Sequence, residues 1–260
     1  MRRMIKPTLL IFFVLLLTVS LSAQERDSEI MEFLKELQKN QQEMRLEIQE
    51  LKSLLSRLPQ QKPPSAAAQP MNINGIEFEI GDNPVLGNGN SKLILIEFTD
   101  YQCNFCGRYV RETFPQILQE YIDKGVLRYA VVDQPLPMHQ HAEKAAQAAH
   151  CASDQGKYWE IHKLMMNQQD SLGDPSFYAR ALDLNITEFE SCLAAEKYRE
   201  RVVNNVALAR SLEISGVPGF VIGLADSRNP GKVTGISSLR GAQPFTNFQK
   251  EIEAVIAANK

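Results

Sequence analysis

A surplus of positive charge is missing from this chain: 28 lysines and arginines stand against 31 aspartates and glutamates, a net charge of −3. With no basic excess there is no electrostatic footprint for a phosphate backbone, and nucleic-acid binding is set aside. Histidine is scarce as well, and the 4 present, His139, His141, His150 and His162, are scattered without an acid at ligand spacing. The 4 cysteines form no second Cys-x-x-Cys and meet no paired histidines, which excludes the usual ligand sets of structural zinc. The histidines therefore read as surface or packing residues, and no metal is expected. Long apolar runs are also lacking, since the stretch over residues 9–17 is short for a helix that must cross a bilayer.

That stretch does carry the flanks of a secretory signal: Arg2, Arg3 and Lys6 precede it, and the small residues Thr18, Ser20, Ser22 and Ala23 follow. Residues 1–23 are read as a signal peptide cut near Ala23. An uncleaved anchor is the alternative, because Leu21 is not small at the third position before that cut. Export to the periplasm or another extracytoplasmic space would put the rest of the chain where disulfides form and persist.

The 260 residues, 44% of them hydrophobic, suffice for one sizeable core with appendages outside it. The first appendage spans residues 24–58, where apolar residues recur at alternating steps of four and three. Ile30, Leu37, Met44, Leu51 and Leu58 fall at d positions, and Leu34, Gln41, Ile48 and Leu55 at a. Asp27 or Ser28 can cap this helix and Pro59 ends it. An isolated helix of this length is marginal in water, so the stripe points to copies of itself and a homo-oligomer through residues 28–58. A stalk folded back on its own domain is the alternative, and apolar Met31, Phe33 and Leu54 beside the seam suggest more than two strands. Residues 59–70 hold four prolines and no apolar period, and read as a semi-extended linker.

Residues 71–260 change character, with strands alternating with helices. Residues 76–80 alternate apolar and acidic side chains, and residues 93–98 form a near-continuous apolar run of buried-strand type. A helix is expected from about residue 103 to 123, ended by Gly125, followed by a strand over 126–132. Residues 141–212 read as helical nearly throughout, with Ala142, Ala145, Ala146 and Ala149 giving a small-residue face for close packing. Strands over 219–222 and 232–234 and a helix over 243–258 complete an α/β order of β-α-β, helical insert, β-β-α.

Cys103-Asn104-Phe105-Cys106 directly follows the buried strand and opens a helix. One helical turn brings the two sulfurs together, and the helix amino end favours a thiolate at the first. Cys103 is thus expected to face solvent and attack, with Cys106 tucked into the helix as resolving thiol. Glu97 interrupts the apolar run six residues earlier; beneath the motif and partly desolvated, its carboxyl would suit proton exchange with Cys106, although a strand-end carboxylate reaching solvent is also open. Val217-Pro218 lies just before a strand, an expected place for a cis bond that leaves the Val217 backbone free to pair with an extended substrate. Cys151 and Cys192 remain: an even count in an exported protein favours a structural bridge, with two buried free thiols as the alternative.

Taken together, Glu97-Phe98, the Cys103 motif, the alanine-rich segment ending at Cys151, Gln155-Gly156-Lys157-Tyr158-Trp159-Glu160, Gly216-Val217-Pro218 and Leu239-Arg240-Gly241 resemble the DsbA-like branch of the thioredoxin superfamily over roughly residues 75–258. The resemblance implies a thioredoxin fold with a helical insert at about 141–212, a cis Pro218 facing Cys103, a buried acid at Glu97 and contact of Val217, Asn104 and Phe105 with clients. It further implies disulfide exchange with exported proteins, without a cofactor, and a membrane redox partner. Family members with a cysteine pair in the insert favour the Cys151–Cys192 bridge. Strongly oxidising members carry histidine in the active-site dipeptide, where this chain has Asn104-Phe105, which argues against extreme oxidising power. By analogy with oligomeric exported isomerases, the heptads raise isomerase or reductase activity beside oxidase activity. The reading from another class is a non-catalytic coiled-coil adaptor or chaperone whose thioredoxin domain binds clients or copper.

Overall fold

The computed structural model describes residues 31–50 and 72–259. The signal at 1–23, both ends of the heptad helix and the linker at 59–70 lie outside the described residues. The chain divides into two units, Met1–Ser65 and Ala66–Lys260. In the first, residues 31–50 form a single helix, α1, on which the seam residues Leu34, Leu37, Met44 and Ile48 are all exposed.

The second unit is built on a six-stranded sheet of order β1-β6-β5-β3-β4-β2. These strands are β1 (Glu77–Glu79), β2 (Val85–Leu86), β3 (Leu93–Thr99), β4 (Arg128–Asp133), β5 (Gly219–Ala225) and β6 (Lys232–Arg240). β3 lies parallel to β4 and antiparallel to β5, so it is central and every one of its residues is buried. The two-residue side-chain period of a strand then divides β3 between two cores. Ile94, Ile96 and Phe98 join the smaller core with Ala130, Val132, Leu212 and Val221, while Leu93 and Leu95 join the larger with Tyr129, Val131 and Phe220. Glu97 shares the face of Leu95 and is thereby committed to the larger core.

After β3 come α2 (Asn104–Glu112) and the short α3 (Phe114–Ile117), which passes into a wide helical turn over Leu118–Ile122. The sequence reading expected one helix here. Pro115, near the start of α3, has no N–H to donate back to Arg111, and the helix breaks at Thr113. Gly125 then turns the chain with φ +70°, and β4 starts at Arg128, two residues later than expected.

Between β4 and β5 stand α4 (Ala142–Ser153), α5 (Tyr158–Asn167), α6 (Pro175–Ala181), α7 (Ile186–Ala194) and α8 (Arg199–Ser211), with a short turn of helix at Gln169–Ser171 before α6. The alanines of α4 are buried against this group, and Cys151 of α4 is bonded to Cys192 of α7 across a separation of 41 residues. The final helix, α9 (Phe245–Ala258), covers the larger core with Phe248, Ile252 and Val255. β6 extends six residues beyond the expected end at Thr234: the run Gly235-Ile236-Ser237-Ser238 looks like a turn in composition but pairs with β5 through a register shift at Ile222/Gly223.

The insert packs directly on α2. A side chain at Gly107 would meet the Met166 carbonyl, the Gln169 side-chain oxygen and the Arg111 guanidinium, each at 2.8 Å. Gly107→Ala is therefore expected to destabilise the domain by about 1–3 kcal/mol, the usual cost of overpacking, read from the midpoint of urea unfolding.

Candidate active site

Cys103 is the N-cap of α2, a position where the first N–H groups of a helix have no intrahelical acceptor. The first turn of α2 contains no acid to compete for them. The Cys103 thiol is lowered from 9.0 to about 6: hydrogen bonding from the Cys106 thiol is the main cause, and backbone N–H groups of Cys106 and Phe105 add to it against the opposing effect of burial. Cys106 is completely buried, and desolvation pushes its thiol well above the ordinary range. Both cysteines are free thiols. Their split is the arrangement in which one sulfur is an anion at neutral pH and its neighbour holds the proton.

The expectation that Cys103 faces solvent needs adjusting, since the residue is only 6% exposed. The reason is the loop ahead of β5: the Val217 carbonyl lies 3.8 Å from Cys103 Sγ, and the Val217–Pro218 bond is cis. Val217 lies outside the ladder, because β5 begins at Gly219. Asn104 and Phe105 are exposed beside the sulfur, with the Arg108 guanidinium 5.1 Å from the centre of the Phe105 ring.

Beneath the motif Glu97 is wholly buried and flanked on its two neighbouring strands by Val131 and Phe220. Desolvation dominates and raises its carboxyl from 4.5 to about 7, moderated by the Tyr129 hydroxyl, which donates to Oε2. Tyr129 pairs with Leu95, so its side chain reaches Glu97 across the diagonal of the β3–β4 ladder. Among the described residues no hydrogen-bond partner within ordinary distance meets Glu97 Oε1, although the neighbouring Thr99 hydroxyl also moderates the shift. The strand-end reading of Glu97, with its carboxylate in solvent, does not hold.

Three residues around the motif escaped the sequence reading. Gln169, from the insert, donates through Nε2 to the carbonyls of Tyr101 at 2.6 Å and Cys103 at 3.0 Å. Tyr129 is the phenol on Glu97. Asp100 is buried at the end of β3: Oδ1 accepts from the Gln102 N–H at 2.7 Å, and Oδ2 accepts from the Leu136 N–H at 2.7 Å and from His139 Nδ1 at 2.8 Å. Only Asp100 left a signal, since an aspartate two residues before a turn N–H is a recognisable Asx turn. Of the other histidines, His141 is exposed, whereas His150 pairs with Asp133 at 2.7 Å, and His162, lowered to about 4 by burial, lies 3.0 Å from the Tyr101 hydroxyl.

A two-cysteine helix start at the end of a central strand, faced by a cis-proline loop, defines a thioredoxin-fold dithiol protein. The family model described as Thioredoxin matches residues 79–238, and the chain belongs to that family, in its DsbA-like branch. The crystal structure of Wolbachia pipientis alpha-DsbA1 is similar with a TM-score of 0.58 and 26% identity, covering 67% of this chain and 90% of that one. The oxidised BdbD of Bacillus subtilis shares the fold, with a TM-score of 0.55 and 21% identity over 70% of this chain and 97% of that one. Among curated relatives, the "Putative protein-disulfide oxidoreductase RT0103" of Rickettsia typhi is 28% identical over 59% of this chain and 60% of its own length. The Na(+)/H(+) antiporter NhaA 3 of Salinispora tropica is 30% identical over 59% of this chain but only 24% of its own length. The chain thus spans less than two thirds of the length of these two curated relatives.

Proposed function

We propose that this protein is an exported thiol-disulfide oxidoreductase acting on envelope or secreted proteins, with Cys103 as attacking thiol and Cys106 as resolving thiol. The observation that carries the reading is the placement of two free thiols at the start of α2, Cys103 at the N-cap beside the Val217 carbonyl and Cys106 buried behind it, over the buried carboxyl of Glu97. In the reducing direction the Cys103 thiolate attacks a client disulfide, one client sulfur leaves as thiolate, and a mixed disulfide forms. Glu97 then takes the proton of Cys106, whose thiolate attacks Cys103 and releases the second client sulfur. In the oxidising direction the same steps reverse: a client thiolate opens the Cys103–Cys106 bond, and Glu97 returns its proton to the departing Cys106. The Val217 backbone and the exposed Asn104 and Phe105 hold the extended client across Cys103, next to a depression of about 140 Å³ lined by Ser215, Val217, Pro218, Arg240 and Gly241.

The exposed seam of α1 supports a homo-oligomer through residues 28–58, which brings several dithiols to one misfolded client and favours isomerase activity. A membrane redox partner would reset the dithiol. The test measures the mass of the mature protein in solution beside its oxidation of reduced ribonuclease and its reactivation of scrambled ribonuclease. An oligomer that reactivates the scrambled enzyme is expected. A monomer that only oxidises dithiols would remove the isomerase part. Activity that survives serine at both Cys103 and Cys106 would favour the non-catalytic adaptor or chaperone instead, whether its thioredoxin domain bound clients or copper.

A further inference from the structure

We propose that Asp100 and His139 are positioning residues that set the reactivity of Cys103: the buried carboxylate opposes the thiolate, and the imidazole at its far oxygen governs how much of that negative charge the sulfur feels. The proposal rests on the reading of Cys103 as the attacking thiol.

The carboxylate cannot turn away from the motif. Oδ1 is held by the Gln102 N–H, Oδ2 by the Leu136 N–H, and the Asp100 carbonyl accepts from the Cys103 N–H at 3.1 Å. An anion fixed three residues from a second one disfavours it, and Asp100 is among the groups that raise the Cys103 thiol. The Asp100 side chain is sealed from water, whereas that of His139 is 23% exposed. His139 therefore reaches solvent while remaining bonded to Oδ2 at 2.8 Å. With the imidazole protonated the pair is neutral, and the Cys103 thiolate is favoured. With the imidazole neutral the carboxylate stands uncompensated and the thiolate is disfavoured.

Other charges face the pair and the sulfur. His139 shares a groove of about 510 Å³ with Glu143 of α4 and Arg210 of α8. Cys103 has Cys106 at its side and Glu97 beneath, and these remain in place when His139 is changed.

The experiment follows iodoacetamide alkylation of Cys103 against pH in the reduced, full-length protein, with the labelled cysteine identified by mass; buried Cys106 reacts later. His139→Gln keeps a donor at Oδ2 but cannot carry a positive charge. It is expected to slow alkylation at pH 6 about three- to tenfold, and to shift the equilibrium with glutathione toward the disulfide by a similar factor. Asp100→Asn should accelerate alkylation at the same pH, and adding His139→Gln to it should change nothing more. A His139→Gln profile that superimposes on wild type would overturn the proposal, as would equal slowing in the Asp100→Asn background. Should Asp100→Asn not fold, His139→Phe must slow alkylation at least as much as His139→Gln, and failure to do so also overturns it. If wild-type Cys103 itself alkylates as an ordinary thiol, the underlying assignment of Cys103 fails first, and the two failures are distinguishable.

Discussion

Cells that produce the Cys106→Ser variant are expected to accumulate exported proteins joined covalently to position 103 and released by dithiothreitol, whereas Cys103→Ser should accumulate none. The difference follows from the proposed order of steps. Serine at 106 leaves the thiolate at 103 able to attack but removes the group that expels it, so the mixed disulfide persists. The trap should be somewhat slower to form than in wild type, because the Cys106 thiol is the largest support of the Cys103 thiolate. Serine at 103 removes the nucleophile, and exchange should fall on the order of 10³-fold or more. Non-reducing gels followed by mass identification of the bridged cysteine decide the matter; bridging through Cys106 in the Cys103→Ser variant would reverse the assigned roles.

Glu97→Gln is expected to have two large and opposite consequences. The resolving step loses its proton acceptor, and turnover near pH 7 should drop about 10²-fold, the lower end of what a positioned base contributes. The loss should shrink at higher pH as the Cys106 proton is surrendered to solvent. Stability should move the other way. The carboxyl is raised to about 7 in the folded protein, from an ordinary 4.5, because burial disfavours its charge. An acid raised on folding costs nothing below its unfolded value, and its penalty grows between about 4.5 and 7 and is complete above that. The upward shift corresponds to roughly 3 kcal/mol of destabilisation at pH 8, which the glutamine does not incur. Urea unfolding at pH 4 should therefore give similar midpoints for the two proteins, with Glu97→Gln clearly more stable at pH 8. Equal midpoints at both values would show that Glu97 is not desolvated.

What the sequence disclosed about this domain was largely what its apolar periods encode. The apolar run ahead of the motif reads as a buried strand, while the place of Glu97 on the side of Leu95, rather than at a solvent-facing strand end, is given by the folded sheet. The alanine spacing of α4 and the length of the insert announced close helix packing. What stayed hidden depends on partners distant in the chain. Tyr129 reads as one more aromatic in a strand until the parallel register sets it diagonal to Glu97. Gln169 sits in a polar stretch with no periodicity, and its role at the Cys103 carbonyl arises only when the insert packs against α2. The length of β6 was missed because glycine and serine at 235, 237 and 238 resemble a turn, while pairing with β5 overrides that local preference.

The amide of Gln169 spans two carbonyls of the loop that presents the Cys103 sulfur, and it comes from the segment separating the two halves of the sheet. Chemistry and scaffold are accordingly mechanically joined. Whatever slackens those intervening helices, such as heat or reduction of their internal cross-link, will be felt at the reaction centre before the β-framework yields, and loss of turnover should precede loss of shape.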